Sequence, residues 1–294
     1  MQKHAYLILA HKDDSCFRTL LQMLDDKRND IFIHMDLKCH PYNIEEVTKC
    51  VKYSHLYHVQ RLDIAWGGWK MIEAELALLK KAVLTRNYQY YHLISGQDLP
   101  IKSQNFIHNF FDKNNGKEYV RFNSPDFRYS DRVQIFHLFQ EKLGRKKNMF
   151  LNRIFIEIQK MIGIKRNKGI SFFKGTQWFS ITNGFAKYVV DEEKWIKHIF
   201  KFTYCCDEVF LQTLLMRSPF KDNRYWLPMD NDTHAIMRLI DWNRGTPYVF
   251  KISDKDEIMS SEMLFCRKFD SVIDSDIITY VKATFSHSSQ ETER

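Results

Sequence analysis

Apolar and polar positions in the first hundred residues change period several times, and each change marks an element. Tyr6-Leu7-Ile8-Leu9-Ala10 is a short unbroken apolar run, the pattern of a strand buried on both faces. Phe17, Leu20, Leu21 and Leu24 then recur at helical spacing behind Asp14 or Ser15, either of which can cap a helix. Ile31-Phe32-Ile33-His34-Met35 predicts a second strand and Leu56-Tyr57-His58-Val59 a shorter third. Residues 68–84 predict a long helix with Ile72, Leu76, Leu79 and Val83 on one face. Residues 88–94 predict a fourth strand, and Phe106 to Phe111 lie in the helix after it. This alternation argues for an α/β fold with a mostly parallel central sheet flanked by helices. Such sheets bind ligands beyond the carboxyl ends of their strands. A site is therefore expected after Ala10, Met35, Val59 and Ile94.

The second half is less regular. Trp178-Phe179-Ser180-Ile181 reads as a strand, and residues 183–200, 207–216 and 274–283 read as helical. Residues 141–174 form a basic amphipathic tract in which Leu151, Ile154, Phe155, Ile158, Met161 and Ile162 share a helical face. One reading lays that helix on an anionic membrane surface. The other packs its apolar face on the core, as in most surface helices. One domain over residues 1–283 is expected, with halves 1–115 and 116–283 and a polar tail (284–294).

Composition narrows the class. Of 294 residues, 44% are hydrophobic and 15% aromatic, enough for a real core and too many for a disordered chain. With 10 Gly and 6 Pro, low-complexity linkers are excluded, and no internal repeat is visible. The net charge of +8 suits either an anionic partner or a merely soluble basic surface. No nucleic-acid-binding motif accompanies the charge, so nucleic acid is not an expected partner. The six cysteines show no C-x-x-C spacing, which argues against zinc, and an adjacent Cys205–Cys206 disulfide would be strained. The N-terminus has no signal-peptide layout, and no apolar stretch is long enough to span a bilayer. Reduced thiols and a cytoplasmic location, with peripheral contact at the inner membrane face, are the expectation.

Candidate chemistry lies at two places. Asp207 and Glu208 open the apolar, helix-patterned run Val209–Leu215. Asp207 as N-cap would leave Glu208 facing a ligand; alternatively both acids simply complement the helix dipole. Arg267 and Lys268 stand in the apolar frame Phe265–Phe269, with Arg238 and Arg244 upstream. A carboxylate that takes a proton and cations that hold a departing phosphate are the minimum parts for moving a sugar from a nucleotide to a hydroxyl. Many such enzymes hold the diphosphate through a metal on Asp-x-Asp. The three tripeptides of that form begin at Asp230, Asp254 and Asp274, far from the fourth strand, and read as surface loops. The loop after that strand offers only Asp98, so no metal is expected and protein cations would serve instead. Trp66-Gly67-Gly68-Trp69 either brings helix amides to a phosphate or forms a turn with a packing Trp. His11 can touch a nucleotide base or cap its loop. Gln177-Trp178 can stack on a sugar or belong to the core.

Seven segments in order carry a resemblance. They are Tyr6–Lys12, Ile33–Asp36, Trp66–Gly68, Leu93–Lys102 (with Ser-Gly-Gln-Asp-Leu-Pro), Gly175–Phe179, Asp207–Leu214 and Phe265–Asp270. Together they resemble the core-2/I-branching β-1,6-N-acetylglucosaminyltransferase family, which includes peptide O-xylosyltransferases. The resemblance runs from about residue 4 to 270. It implies a GT-A-type nucleotide-sugar fold, inversion at the anomeric carbon, no metal, and a UDP-sugar donor. On that resemblance residues 1–115 are the nucleotide-binding half and 116–283 the acceptor half. It further implies Glu208 as general base, Lys268 on the diphosphate with Arg244 or Arg238 beside it, and uridine contacts near His11, Asp36 and Trp66, with Gly67 a further nucleotide-binding candidate. Gln97, Asp98, Gln177 and Trp178 are then candidates for sugar or acceptor. Lacking the stem, anchor and disulfide pattern of the animal enzymes, the chain looks like a bacterial relative that acts on a glycan or lipid-linked saccharide. A non-catalytic glycan- or membrane-binding protein on the same fold is the competing class.

Overall fold

A computed structural model describes residues 2–144 and 150–286. The chain builds a six-stranded sheet in the order β3-β2-β1-β4-β7-β6. Its strands are β1 (His4–Ala10), β2 (Asn29–Met35), β3 (His55–His58), β4 (Tyr90–Ser95), β6 (Tyr119–Phe122) and β7 (Gly175–Thr182). The first four are mutually parallel. β7 runs antiparallel to both β4 and β6. A small sheet, β5-β9-β8, joins β5 (Asp98–Pro100), β9 (Phe265–Arg267) and β8 (Arg238–Ile240). The halves expected to divide near residue 115 thus share one sheet.

The unbroken apolar runs are strands covered on both faces. Ala5 and Leu7 pack with the helices Trp69–Thr85, Asn183–Asp191 and Phe210–Arg217. Tyr6 and Ile8 pack on the other face with Ser15–Leu24, Gln104–Lys113 and Asp276–Ser286. Asp14, not Ser15, caps the first helix by accepting from Phe17 N. The helical segment predicted over 183–200 breaks at Glu192 into two helices. The final helix runs past residue 283 to Ser286, into the expected tail; residues 287–294 lie outside the described part, as do 145–149 of the basic tract. Among the described residues, no helix is long and apolar enough to cross a membrane. All six cysteines are free thiols.

Beneath β1 and β4 lies a buried histidine cluster. His92 Nε2 meets His4 Nδ1 at 3.1 Å, and the His108 ring centroid is 4.1 Å from that of His4. Burial, then the Arg28 charge, lowers the His108 pKa to about 4. Below pH about 6.5 the unfolded chain takes up a proton here that the folded chain refuses, so stability falls with pH until about 4. A shift of that size corresponds to roughly 3 kcal/mol. His108→Gln is expected to flatten that fall in urea melts between pH 7 and 4. Parallel curves for variant and wild type would contradict it.

Candidate active site

The carboxyl ends of β1, β2 and β4 end on one edge, and a cavity of about 280 Å³ opens there. His11 follows β1, Asp36 follows β2 and Ser95 ends β4; all three line the cavity. The strand order changes direction between β1 and β4, the place where open α/β sheets bind ligands. Because β7 runs backwards, its first residues reach the same edge, so Gln177 and Trp178 complete one wall. Trp66, half-exposed, lies across from them and packs edge-on against Tyr204. His11, exposed at the rim, has a lowered pKa. Loss of water on its packed side is the larger cause; the charges of Lys12, Lys268 and Arg267 follow. His11 therefore lies within electrostatic reach of Arg267 on β9 and of the adjacent Lys268.

Arg267 is the cation that lines the cavity. Its guanidinium lies 4.4 Å from the Trp178 ring centroid, and Nη1 donates to Asp98 Oδ1 at 2.7 Å. The other Asp98 oxygen accepts from Ser95 N at 2.9 Å. Asp98 is wholly buried, so it cannot touch a sugar as the sequence suggested; it aims Arg267. Gln97 is corrected similarly. Its amide donates to Asp270 and its carbonyl accepts from Phe269 N, clamping the segment around Lys268.

The two upstream arginines do not serve that cavity. Arg238 is fully buried, donating to the carbonyls of Ile236, Leu93 and Phe179 at 2.9 Å each. It ties the small sheet to β4 and β7 and has no open side for a diphosphate. Arg244 is exposed and held by three carboxylates, Asp241, Asp254 and Glu257, which already compensate its charge.

The turn Trp66–Gly68 is structural in its amides. Gly67 sits at φ +74°, and an added Cβ would fall 2.9 Å from Cys205 Sγ. Its N–H donates to Met71 Sδ and its carbonyl accepts from Cys205 N. The Lys70 N–H at the helix start is taken by Glu141 Oε1 at 3.1 Å. These amides are thus occupied, and the expected phosphate contact at Gly67 gives way to a joint with the loop that carries Glu208.

That loop is built tightly. Cys206–Glu208 form a 3₁₀ turn and the helix starts only at Phe210, so Asp207 is not its N-cap. Four residues past Glu208, buried Gln212 donates to the Thr176 carbonyl at 2.7 Å, pinning the helix to the start of β7. Gly175 permits this crossing, since a Cβ there would collide with the Arg121 carbonyl. Glu208 is part-exposed, and its Oε2 meets Arg132 Nη1 at 3.2 Å and Lys174 Nζ at 3.1 Å. Oε1 has no partner among the described residues. Lys174, which holds Glu208, immediately precedes β7, and Arg267 stacks on Trp178 within β7; Glu208 itself is not among the residues that line the cavity.

Behind the wall lies a buried acid pair. Glu75 accepts from Gln177 Nε2 at 2.8 Å, which leaves the Gln177 carbonyl oxygen for the cavity. Burial, then Asp207, pushes the Glu75 pKa well above the carboxylate range. Burial, then Glu208, pushes Asp207 up to about 7. Sequence reasoning missed Glu75, although an acid at the spacing of Ile72 and Leu79 on a core-facing stripe was a readable signal. It also missed Ser95, and Arg132 and Lys174, whose roles depend on distant Glu208, and it did not choose Arg267. Among the described residues no three His, Cys, Asp or Glu side chains converge to hold a metal. Asp230 and Asp232 bond Trp226 and His234, Asp254 bonds Arg244, and Asp274 bonds Ile252 N, so none of the three Asp-x-Asp tripeptides faces the cavity.

Residues 4–263 match the family model described as Core-2/I-Branching enzyme. Rat xylosyltransferase 2 is 23% identical over 297 residues, covering 93% of this chain and 32% of the relative. Human xylosyltransferase 1 is 20% identical over 300 residues, covering 93% and 29%. The chain thus spans about a third of the length of these curated relatives. Among solved structures, the apo form of mouse xyloside xylosyltransferase 1 aligns over 90% of this chain and 96% of its own, with 9% identity and a TM-score of 0.38. The mostly parallel sheet flanked by helices, with one reversed strand, agrees with the α/β fold class expected from the sequence. The match over most of its length shows that this chain belongs to the Core-2/I-branching enzyme family of glycosyltransferases.

Proposed function

We propose that the chain moves a sugar from a UDP-sugar to a glycan hydroxyl by a single inverting displacement without a metal. One observation carries this reading: Glu208, whose Oε1 has no partner among the described residues, is held by Lys174 at the start of β7, the strand whose Trp178 carries the stacked, carboxylate-aimed Arg267. Glu208 takes the proton of the acceptor hydroxyl as that oxygen attacks C1 of the sugar. The bond from C1 to the diphosphate breaks, and UDP leaves with the electron pair. Arg267 and its neighbour Lys268 stabilise the charge that develops there. Arg267 takes the part first given to Arg244 or Arg238. His11, Asp36 and Trp66 hold the nucleotide, and Trp178 and the Gln177 carbonyl face the sugar.

The donor assigned first is UDP-N-acetylglucosamine, with surface-polysaccharide assembly as the setting. A UDP-xylose donor is the second reading, favoured by the xylosyltransferases among the relatives. UDP release across a panel of UDP-sugars separates the two. Turnover is expected to persist in excess EDTA, because side-chain cations take the place of a metal. Strict dependence on added manganese would overturn the metal-free mechanism. Absence of UDP release with every donor and acceptor would favour the non-catalytic reading.

A further inference from the structure

The helix Phe150–Met161 is mounted with its apolar stripe outward. Its two most buried described positions are polar: Asn152 and Gln159 are each 2% exposed, with Phe155 and Ile156 half-buried beside them. Gln159 clasps the main chain of Phe136, accepting from its N–H at 2.9 Å and donating to its carbonyl at 3.0 Å. Ile154, Ile158, Met161 and Ile162 are 41%, 47%, 82% and 66% exposed. Their spacing puts them on one face, the reverse of an ordinary surface helix. Leu138 and Phe139 extend the apolar surface, and the Phe139 ring lies 5.7 Å from that of Phe155. Ile154, Ile158, Met161 and Ile162 therefore do not pack on the core; Phe155 of the same face is half-buried, and the Leu151 side chain lies outside the described part.

The same tract carries the charge of the protein. Residues 141–174 hold ten lysines and arginines against two glutamates, a surplus of eight that equals the whole chain's +8. Lys160 is paired with Asp131 and Glu157, and Lys174 with Glu208. Lys142, Arg153, Lys165 and Lys168 are exposed around the stripe. We propose that this face seats on an anionic lipid surface, with the aliphatic stripe at the headgroup–acyl boundary and the cations against lipid phosphates. A second copy of the chain would set +8 against +8, which disfavours self-association. The helix docks beside Asp131, adjacent to Arg132, which holds Glu208. On the transferase reading, this brings the base toward the membrane and makes a lipid-linked saccharide the acceptor class.

Vesicle flotation tests the proposal without any sugar. Wild type is expected to float with vesicles containing phosphatidylglycerol, not with phosphatidylcholine alone, and to detach at high salt. Each cation near an anionic surface strengthens binding roughly fivefold. Lys165→Glu with Lys168→Glu is therefore expected to weaken flotation by well over tenfold. Ile158→Ser with Met161→Ser is expected to do so by a similar factor. Both pairs are solvent-exposed, so melting temperature and UDP release with a soluble acceptor should hold. No binding to anionic vesicles, or equal binding by both variants, would overturn the proposal. So would a wild-type dimer in sedimentation that the Ile158→Ser/Met161→Ser variant dissolves. Loss of UDP release in wild type would count against the transferase reading alone.

Discussion

Glu208→Gln is expected to lower kcat by about 10²–10⁴, the range for removing a general base. The substitution keeps the shape of the side chain and its contacts to Arg132 and Lys174, and takes away the ability to accept a proton. Folding should be almost unaffected, because a part-exposed ion pair contributes about 1 kcal/mol or less. The measurement is acceptor-dependent UDP release, with a thermal shift on UDP to show that the nucleotide still binds. Full turnover by a folded Glu208→Gln protein would remove the carboxylate from the mechanism. The neighbouring acid offers an internal contrast. Asp207 is buried and pushed up to about 7, so much of it is protonated at neutral pH. It suits the interior of the turn rather than the removal of a substrate proton.

Arg267→Ala is expected to cost about 10²–10³ in kcat, the range for losing one donor to developing charge. UDP affinity should fall with it, since the same guanidinium lines the cavity before and after the bond breaks. Arg267→Lys should rescue poorly, because an ammonium cannot both lay a planar group on Trp178 and donate to Asp98. Asp98→Asn should reproduce part of the catalytic loss without touching a ligand. It should also destabilise the fold by about 3–5 kcal/mol, the cost of stranding buried cations. Arg238 and Arg267 both feel the Asp98 charge, so one substitution leaves two guanidiniums uncompensated. Wild-type turnover by Arg267→Ala would return the diphosphate to Lys268 alone. Arg244→Ala, in contrast, should leave turnover nearly unchanged, because its charge already answers three carboxylates.

Much of this protein is written locally. The strands β1, β2 and β4 are apolar runs that no exposed segment would tolerate, and the stripe Ile72, Leu76 and Leu79 makes its helix visible before any folding. The ordered motifs from Tyr6 to Asp270 sufficed to indicate the family, because each preserves short-range chemistry in a fixed order. The tertiary structure decided which charged groups meet. Arg267 finds Asp98 across 169 residues and Gln177 finds Glu75 across 102, and no periodicity encodes such pairs. It chose Arg267 over Arg238 and Arg244, placed Glu141 on the helix start expected to take a phosphate, and turned the stripe of Ile154 and Ile158 outward. The physical reason is that burial preference is a property of each residue and its near neighbours. Compensation of charge is a property of pairs, and a pair exists only once the chain has closed on itself.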